Sequence, residues 1–577
     1  MMLFNNKNQE MKKRTIYKWG TGLAVIALTM SACTKKFEQL NTNPEISPET
    51  RPELLITAPQ KAIVDRDFDW FYDNYQYLMR WTQFTVAAPT TATSGLFSPV
   101  NVNEFYKSLY NNIGRNLSQI GTLVSKMPED QKASYQEIAA IAQVIKVYAA
   151  WRAADANGSI PYSQAWQARE SELFTPIYDN QETLFATWDQ ELKAAINTLG
   201  QRPASQVGFG NADIFYSGDA RKWAKAANVL RMKLAMRLLK RSPAKVGPIV
   251  QEVLASPAGL FASNDEEWKF ISNTTNFARG GNWDVDWSPS VGGKNVIDFM
   301  YDNADPRLPL FYEKNGYSPA VIDSLKKGGA FPSGVTYNPR QYVGLPASPD
   351  AKSNAAYVKL FSEKKYSVQS GGKTITAEFD TLSPVQRRLF DLNKEGNGSG
   401  QYTQPILTYA EMCFMLSELA VRGIITDDAQ SWYNKGITAS VKAYDKMGSL
   451  AAILDYKAVE DAAIQSYLVK PAIAFTGTTA EKLEKIGVQN FLHHFKSPWE
   501  AWGTWKRLDA PKEGGLLPLE PLFSNGVKVA IPRRWALPEP NLLNQPNYLK
   551  AITEMSQTGE YGFDVNTFTG RVWWDKQ

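Results

Sequence analysis

Apolar side chains recur at helical spacing over most of the chain downstream of residue 60. The clearest run follows an i, i+3, i+4, i+7 pattern that predicts one buried helix face: Ile138, Ile141, Ala142, Ile145, Tyr148, Ala149 and Arg152. Asn157-Gly158 then forms a typical helix stop. The same pattern predicts further helices over 180–199, 219–241, 406–422 and 428–446.

The predicted helices follow one another through short connections. Asp219 is a suitable N-cap, Gly200 is expected to close the helix before it, and Gly423 is expected to form the turn between the last two helices. Their lengths match the helix pairs of tetratricopeptide units, although no internal repeat is strong enough to align. We therefore expect a mostly α fold, built as a scaffold of tetratricopeptide-like helix pairs.

A long irregular segment interrupts this pattern at about residues 255–400, where Gly, Pro, Asn and Ser are frequent. Within it, Tyr366, Val368, Ile375 and Phe379 flank Gly371-Gly372, which predicts one minor β-hairpin. Binding residues are often carried on loops that a rigid scaffold positions. We therefore expect these long loops to contribute to a binding site.

The N-terminus has a different pattern. A basic start precedes a short apolar run over 19–30, and the small residues Ser31 and Ala32 then precede Cys33. This arrangement is similar to the lipobox of bacterial lipoproteins, whose cysteine is acylated. An ordinary signal peptide and a membrane anchor are the alternatives, but about a dozen apolar residues are fewer than the roughly twenty that span a bilayer.

These patterns divide the chain into three parts. We expect a lipoprotein signal peptide over 1–32 and a lipid-anchored tether over 33–60, which its prolines keep extended. The remaining residues, 61–577, are expected to form one body that includes the loop-rich insertion at about 255–400.

Charge and composition narrow the possible partners. The net charge is +5, of which +4 lies in residues 1–32, so the remainder is near +1. That balance argues against nucleic acid, which selects for clustered basic charge. The 17 tryptophans exceed what core packing usually needs, so we expect some to contact a ligand. Cys413 lies in an apolar run and is expected in the core, and lipidation of Cys33 would leave no pair for a disulfide.

Common catalytic motifs are missing from the sequence. It contains no P-loop, no dinucleotide fingerprint, no His-Glu-x-x-His and no Gly-x-Ser-x-Gly. The two histidines, His493 and His494, are adjacent, and neighbours on a helix point about 100° apart. We expect one to pack or cap and the other to face water. The sequence thus predicts no enzyme, no cofactor and no metal site.

Three aromatic segments, at 67–84, 282–287 and 499–507, supply the candidate ligand contacts. A sugar ring offers a flat C–H face to an aromatic ring and a rim of hydroxyls to polar side chains. The candidate ligand-binding residues are Trp70, Trp81, Gln83, Trp283, Asp284, Trp287 and Trp502.

Asp284 and Asp286 leave other interpretations open. A glycosidase needs two carboxylates about 5 to 9.5 Å apart across the scissile bond, and this pair could supply them. The same segment could equally be a solvated loop with partly packed tryptophans.

Short motifs follow one another over nearly the whole mature chain. They are Phe37–Pro44, Asp155–Ala165, Pro176–Asp179, Asp213–Asp219, Lys222-Trp223, Ala227-Asn228, Asp305–Leu308, Pro405–Glu411, Arg422-Gly423, Ile531–Arg534, Pro538-Glu539 and Arg571–Asp575. Each motif alone is unspecific. Together, and in this order, they resemble the SusD/RagB family of Bacteroidetes outer-membrane lipoproteins, and most closely its SusD-like second subgroup.

The resemblance implies a mostly helical, non-enzymatic protein built on four tetratricopeptide-like helix pairs. Such proteins act as lids over a SusC-like TonB-dependent transporter and capture glycans, or in some cases peptides, for import. It further implies lipid anchoring through Cys33 at the outer membrane, facing the cell surface. Thr34-Lys35-Lys36 leaves a periplasm-facing anchor open, and a scaffold for other lipoproteins is a further alternative.

Overall fold

The computed structural model describes residues 51–64, 69–89, 103–201, 205–273, 275–276, 290–316, 340–357, 360, 365–370, 373–378, 381–391, 400–557, 561–562 and 568–577. For residues 69–71 and the two strands within 365–378, only the backbone is described. The chain separates into two units, Met1–Leu54 and Leu55–Gln577. Helices predominate in the second unit, which confirms the predicted mostly α fold.

The α-helices vary in length from one turn to about six turns. They are α1 Thr57–Ile63, α2 Met79–Trp81, α3 Glu104–Ser108, α4 Gly114–Ser125, α5 Glu129–Lys132, α6 Gln136–Asn157, α7 Ala168–Ser171, α8 Gln181–Gln201, α9 Ala220–Arg237, α10 Pro243–Ala255, α11 Lys294–Asp302, α12 Leu308–Phe311, α13 Tyr409–Val421, α14 Ala429–Leu450, α15 Asp461–Leu468, α16 Thr479–His493, α17 Pro498–Leu508 and α18 Gln545–Gln557.

Shorter turns of 3₁₀-helix and two π-helices connect these elements. The π-helices are Asp69–Leu78 and Leu109–Ile113. The 3₁₀ turns are Pro52–Leu55, Ala133–Tyr135, Gly210–Ala212, Pro349–Ser353, Arg387–Leu389, His494–Lys496 and Leu542–Asn544.

The described strands form separate antiparallel pairs rather than one sheet. The pairs are β1 Thr85–Ala87 with β3 Ser290–Gly292, β2 Trp268–Ile271 with β6 Thr403–Leu407, β4 Lys365–Ser370 with β5 Lys373–Glu378, and β7 Leu522–Ser524 with β8 Val527–Val529. The β4–β5 pair confirms the predicted hairpin, with Val368 directly opposite Ile375.

Two long helices, α6 and α9, are buried along most of their length. The sequence predicted one buried face for α6, but its residues are buried on nearly every side, including Ala140, Val144 and Val147. The many alanines of both helices explain this, because small side chains let neighbouring helices approach closely from several directions. A helix buried all round shows little amphipathic pattern.

The predicted helix ends are correct at two places. Asp219 caps α9, where its carboxylate accepts hydrogen bonds from the backbone N–H groups of Arg221 and Lys222. Gly158 ends α6 with a φ of +91°, a conformation that glycine adopts without steric cost.

Other helix limits differ from the prediction. Residues 406 and 407 belong to strand β6, and the following helix begins only at Tyr409, with Thr408 as its cap. β6 is buried along its whole length, and such a strand is an apolar run that periodicity cannot separate from a helix. Gly200 lies inside α8 rather than at its end. α1 begins at Thr57, within the stretch predicted to be extended, because a proline is tolerated in the first helical turn.

Candidate ligand-binding site

Helix α17 carries three tryptophans, Trp499, Trp502 and Trp505, spaced three residues apart along one side. Pro498 occupies its first position, where a missing N–H costs nothing. Asp509 follows the helix in a left-handed conformation with φ +50°. Trp502 is buried, whereas Trp499 and Trp505 are half-buried. The helix therefore offers aromatic surface at two positions.

Trp502 belongs to a small group of packed side chains that we call the tryptophan cluster: Tyr77, Leu78, Trp81, Trp502, Leu522 and Trp535. The rings of Trp502 and Trp535 stack with centroids 5.4 Å apart and planes inclined by 27°. Tyr77 meets Trp535 edge-on at 6.3 Å. The indole N–H of Trp502 donates to the carbonyl of Pro532 at 2.7 Å. The cluster thus fixes the middle of α17.

A narrow cleft of about 30 Å³ borders the tryptophan cluster. In it the guanidinium of Arg152 lies between two rings, 3.7 Å from the centroid of Phe105 and 4.0 Å from that of Trp499. The carboxylate of Asp73 accepts a hydrogen bond from the backbone N–H of Asn103 at 2.8 Å. Flat rings beside charged and amide groups are the components of a site for a sugar or a peptide.

Buried ion pairs hold α17 against α9 beneath this cleft. The ammonium of Lys233 lies 2.6 Å from a carboxylate oxygen of both Glu411 and Glu500. Burial alone would raise the pKa of Glu411, but its attraction to Lys233 and His494 holds that pKa well below its usual value. The carboxylate therefore stays ionised inside the protein, which fixes three helices, α9, α13 and α17, to one another.

Lys506 provides a second buried charge in α17. Its ammonium lies 3.6 Å from the centroid of Trp502 and 4.7 Å from that of Trp574, and it donates to the carbonyl of Asp155 at 3.1 Å. Burial lowers the pKa of Lys506 to about 8, although Asp155 and Asp575 attract its charge. Lys506 therefore loses its proton at a mildly alkaline pH.

Both histidines are buried, so the prediction that one faces water is wrong. The ring nitrogens of His493 lie 2.7 Å from the hydroxyl of Thr408 and 3.0 Å from that of Ser440. Burial lowers the pKa of His493 well below its ordinary value, so it is a neutral hydrogen-bonding residue of the core. The sequence pattern failed here because the 3₁₀ turn His494–Lys496 continues the burial of α16.

His494 lies close to two carboxylates, those of Glu411 and Glu500. One ligand atom from each residue falls within 4.8 Å of the others, a spacing at which a metal ion could be held. The ammonium of Lys233 already contacts both carboxylates at 2.6 Å and supplies the positive charge there. We therefore interpret this group as a structural ion cluster.

Three of the seven predicted ligand residues have described side chains. Trp81, Gln83 and Trp502 are 4%, 2% and 3% exposed, respectively. The structure brings Trp81 and Trp502 together in the tryptophan cluster. Gln83 donates to the carbonyl of Glu520 at 2.8 Å and accepts from its N–H at 2.8 Å. Each of the three has a packing or bonding role, and a ligand contact by any of them stays a prediction.

The other four lie outside the part of the chain whose side chains are described: Trp70, Trp283, Asp284 and Trp287. Asp286, the partner of Asp284 in the glycosidase interpretation, is also outside it. The backbone of Trp70 belongs to the π-helix Asp69–Leu78. Ligand contacts by these residues stay predictions.

Sequence reasoning missed several residues of the cleft. Arg152 was placed on an apolar helix face, and no pattern in the sequence brings it between Phe105 and Trp499. Trp535 is isolated in the sequence and gave no signal. The sequence does contain a signal for Trp499 and Trp505. Each is three residues from Trp502, and this spacing places all three rings on one side of a helix.

A helical scaffold that presents clefts of aromatic and hydrogen-bonding side chains defines a ligand-binding protein of the helix-pair class. The chain belongs to the SusD-like_2 family, whose model, described as "Starch-binding associating with outer membrane", matches residues 43–538. The predicted resemblance is thereby confirmed: the family is one of outer-membrane-associated nutrient-binding proteins.

A search of the curated proteins found no match. Among the described residues, no helix combines the length and apolarity needed to span a bilayer.

Solved structures support the same fold. A chitin-binding protein is 23% identical, covers 91% of this chain and 100% of its own, and superposes with a TM-score of 0.68. A SusD homologue from Bacteroides fragilis is 22% identical over 92% of this chain and 100% of its own, with a TM-score of 0.64. A chitin-binding SusD homologue from Flavobacterium johnsoniae is 19% identical over 91% of this chain and 98% of its own, with a TM-score of 0.62.

Proposed function

We propose that this protein captures glycans at the outer membrane and delivers them to a SusC-like TonB-dependent transporter, which it covers as a lid. The observation that carries the proposal is the aromatic cleft beside α17, where Arg152 lies between the rings of Phe105 and Trp499 within a SusD-like fold. Stacking surfaces and hydrogen-bonding groups serve binding without catalysis.

Chitin oligosaccharides are the ligands to test first. Two of the similar solved structures are those of chitin-binding proteins. The acetamido group of N-acetylglucosamine adds an apolar methyl and an N–H donor to the sugar ring, and aromatic rings with carboxylates and amides complement both. Peptides are the alternative ligands, because the same groups recognise them.

The proposed lid is held at its transporter by lipid on Cys33. A tether converts capture over the pore into an effectively intramolecular event, so individual contacts with the ligand can remain modest. Acyl chains contribute about 0.8 kcal/mol for each buried CH₂, and two signals give stable anchoring. The near-neutral body fits a partner other than nucleic acid.

Binding is tested by calorimetry on the full chain purified in detergent. The probes are the hexamer of N-acetylglucosamine, maltohexaose and a neutral hexapeptide. We expect a glycan to bind and no shortened product to appear on chromatography afterwards. Binding of the peptide alone would favour the peptide alternative, and release of shortened sugars would favour the glycosidase interpretation of Asp284 and Asp286.

The partner and the anchor are tested in cells. Affinity purification of the tagged protein in detergent should recover a large TonB-dependent barrel from cells grown on the glycan. The Cys33→Ser variant should lose the lipid, leave the membrane fraction and recover less barrel. Purification of wild-type protein without any barrel would contradict the lid role.

A further inference from the structure

A second and larger cleft, of about 450 Å³, also borders α17. Trp505 and Asp509, about one helical turn apart, contribute to it, together with Leu522, Lys528 and Val529 of the β7–β8 hairpin. Its volume lies within the range found for pockets that bind small molecules, roughly 300–1,000 Å³. Of the candidate ligand residues whose side chains are described, Trp81, Gln83 and Trp502, none lines this cleft.

The indole of Trp505 is held rigidly in this cleft. It packs against the tryptophan cluster, and the guanidinium of Arg533 lies 4.6 Å from its ring centroid. Arg533 is itself fixed by the carboxylate of Asp575, at 2.8 and 2.7 Å. The ring nevertheless remains half-buried rather than buried. A fixed, partly open indole is a surface against which the C–H face of a sugar can pack.

Asp509 places a hydrogen-bond acceptor beside this ring. Its backbone N–H bonds to the carbonyl of Trp505 at 2.9 Å, which ties the two residues together. Its side chain is exposed, and in the part of the chain that the structure describes its carboxylate has no hydrogen bond or ion pair. The acceptor is therefore available to hydroxyl or amide N–H groups of a ligand.

The cations around the cleft are already matched by carboxylates. Lys528 lies 2.8 Å from Glu513, and Lys512 lies 3.6 Å from Glu484. Arg533 is matched by Asp575, as described above. Among the described residues that line the cleft, Asp509 and Glu520 carry carboxylates without an ion pair, so the cleft favours a neutral sugar over a uronic or sulfated one.

The hairpin wall of the cleft is preformed. At the β7–β8 turn, the backbone N–H groups of Asn525 and Gly526 each donate to the carboxylate of Asp350 at 2.8 Å. The turn is therefore anchored without a ligand, so binding requires little loss of conformational entropy in this wall.

We propose that the cleft of Trp505 and Asp509 is a subsite for one or two rings of a neutral glycan. Trp505 is its stacking platform and Asp509 its hydrogen-bond acceptor. This inference rests on the proposed function, since it assumes that the protein binds glycans.

Calorimetry with the N-acetylglucosamine hexamer and maltohexaose tests the subsite on the full chain in detergent. For the hexasaccharide that binds, Trp505→Ala should weaken affinity by about tenfold or more, and Asp509→Asn by several-fold. The matched control is Trp432→Ala, which removes another half-buried tryptophan, in α14, whose N–H bonds to Asp427 at 2.8 Å. The control should keep affinity within about twofold of wild type, because it lies outside the cleft.

Thermal unfolding is measured for every variant, so that lost folding is not mistaken for lost binding. If Trp505→Ala does not fold, Asp509→Asn decides, because the exposed carboxylate can be replaced without disturbing the core. Wild-type binding with unchanged affinity in both cleft variants would overturn the subsite and leave the proposed function standing. Absence of binding to either glycan by the wild type would overturn both.

Discussion

The ammonium of Lys506 lies 3.6 Å from the centroid of the Trp502 ring, inside the protein. A cation over an aromatic face is favourable, and more so where water is excluded. The contact only partly offsets the cost of burying the charge, because the pKa of Lys506 is still lowered to about 8. The helix with the three tryptophans therefore carries a titratable group directly under its central ring.

This relationship predicts a pH dependence of stability. Between pH 8 and 10.5 the unfolded chain keeps a proton on Lys506 that the folded protein has lost. The contribution of Lys506 to the free energy of unfolding therefore rises with pH across that window, by up to about 3 kcal/mol. The free energy of unfolding, measured in denaturant from pH 7 to 10, should rise more steeply in wild type than in Lys506→Met. Parallel profiles would contradict the lowered pKa.

Lys233→Met should be strongly destabilising, by about 3–5 kcal/mol, because it takes from the buried carboxylates of Glu411 and Glu500 their closest cation. Lys225→Met on the same helix is the matched control. Lys225 pairs with Glu266 at 2.6 Å where both side chains are partly exposed, so its loss should cost about 1 kcal/mol or less. Chemical denaturation of both variants provides the comparison, and equal losses would refute the role of the buried cluster.

Two glycines of α4 should respond oppositely to alanine. A Cβ on Gly114 would lie 1.9 Å from the ring of Trp166, which also stacks on Tyr110 with centroids 5.5 Å apart. Gly114→Ala should therefore destabilise the protein by about 1–3 kcal/mol. Gly121→Ala meets nothing within 4 Å and should be neutral or stabilising by up to about 1 kcal/mol. Thermal melting of the two variants measures the contrast, and similar effects would show that Trp166 does not pack there.

Gln83→Ala should lower stability by about 1–2 kcal/mol, because it removes two hydrogen bonds to the partly buried N–H and carbonyl of Glu520. The φ of +60° at residue 83 strains glutamine and alanine alike, so the expected loss comes from the hydrogen bonds. Unfolding and glycan affinity should be measured on the same sample. A loss of affinity in fully folded protein would support the predicted ligand contact of Gln83, whereas a loss of stability alone would assign it to structure.

Much of the fold could be predicted from local signals. The cap at Asp219, the stop at Gly158 and the β4–β5 hairpin follow from nearby residues, and the structure confirms each. The strand Thr403–Leu407 was missed because its partner, Trp268–Ile271, lies far away in the sequence. The burial of His493 and His494 was missed for the same reason, since distant elements cover them.

The candidate site depended still more on the tertiary structure. The sequence indicated that α17 matters and named Trp502, but the open positions on that helix are Trp499 and Trp505. Exposure of a side chain depends on what packs over it, here Trp535 and Pro532 over Trp502. No local pattern contains that information.

The sequence by itself determined the helical class, two helix ends, the hairpin and, through motifs in a fixed order, the SusD-like family. These properties follow from the spacing of apolar residues along the chain and from side chains that cap or end the helix next to them. Only the tertiary structure decided which tryptophans are open, which charges are paired and where the clefts lie. These properties depend on contacts between residues that are distant in the sequence, such as Lys233 with Glu500, and such contacts form only when the chain has folded.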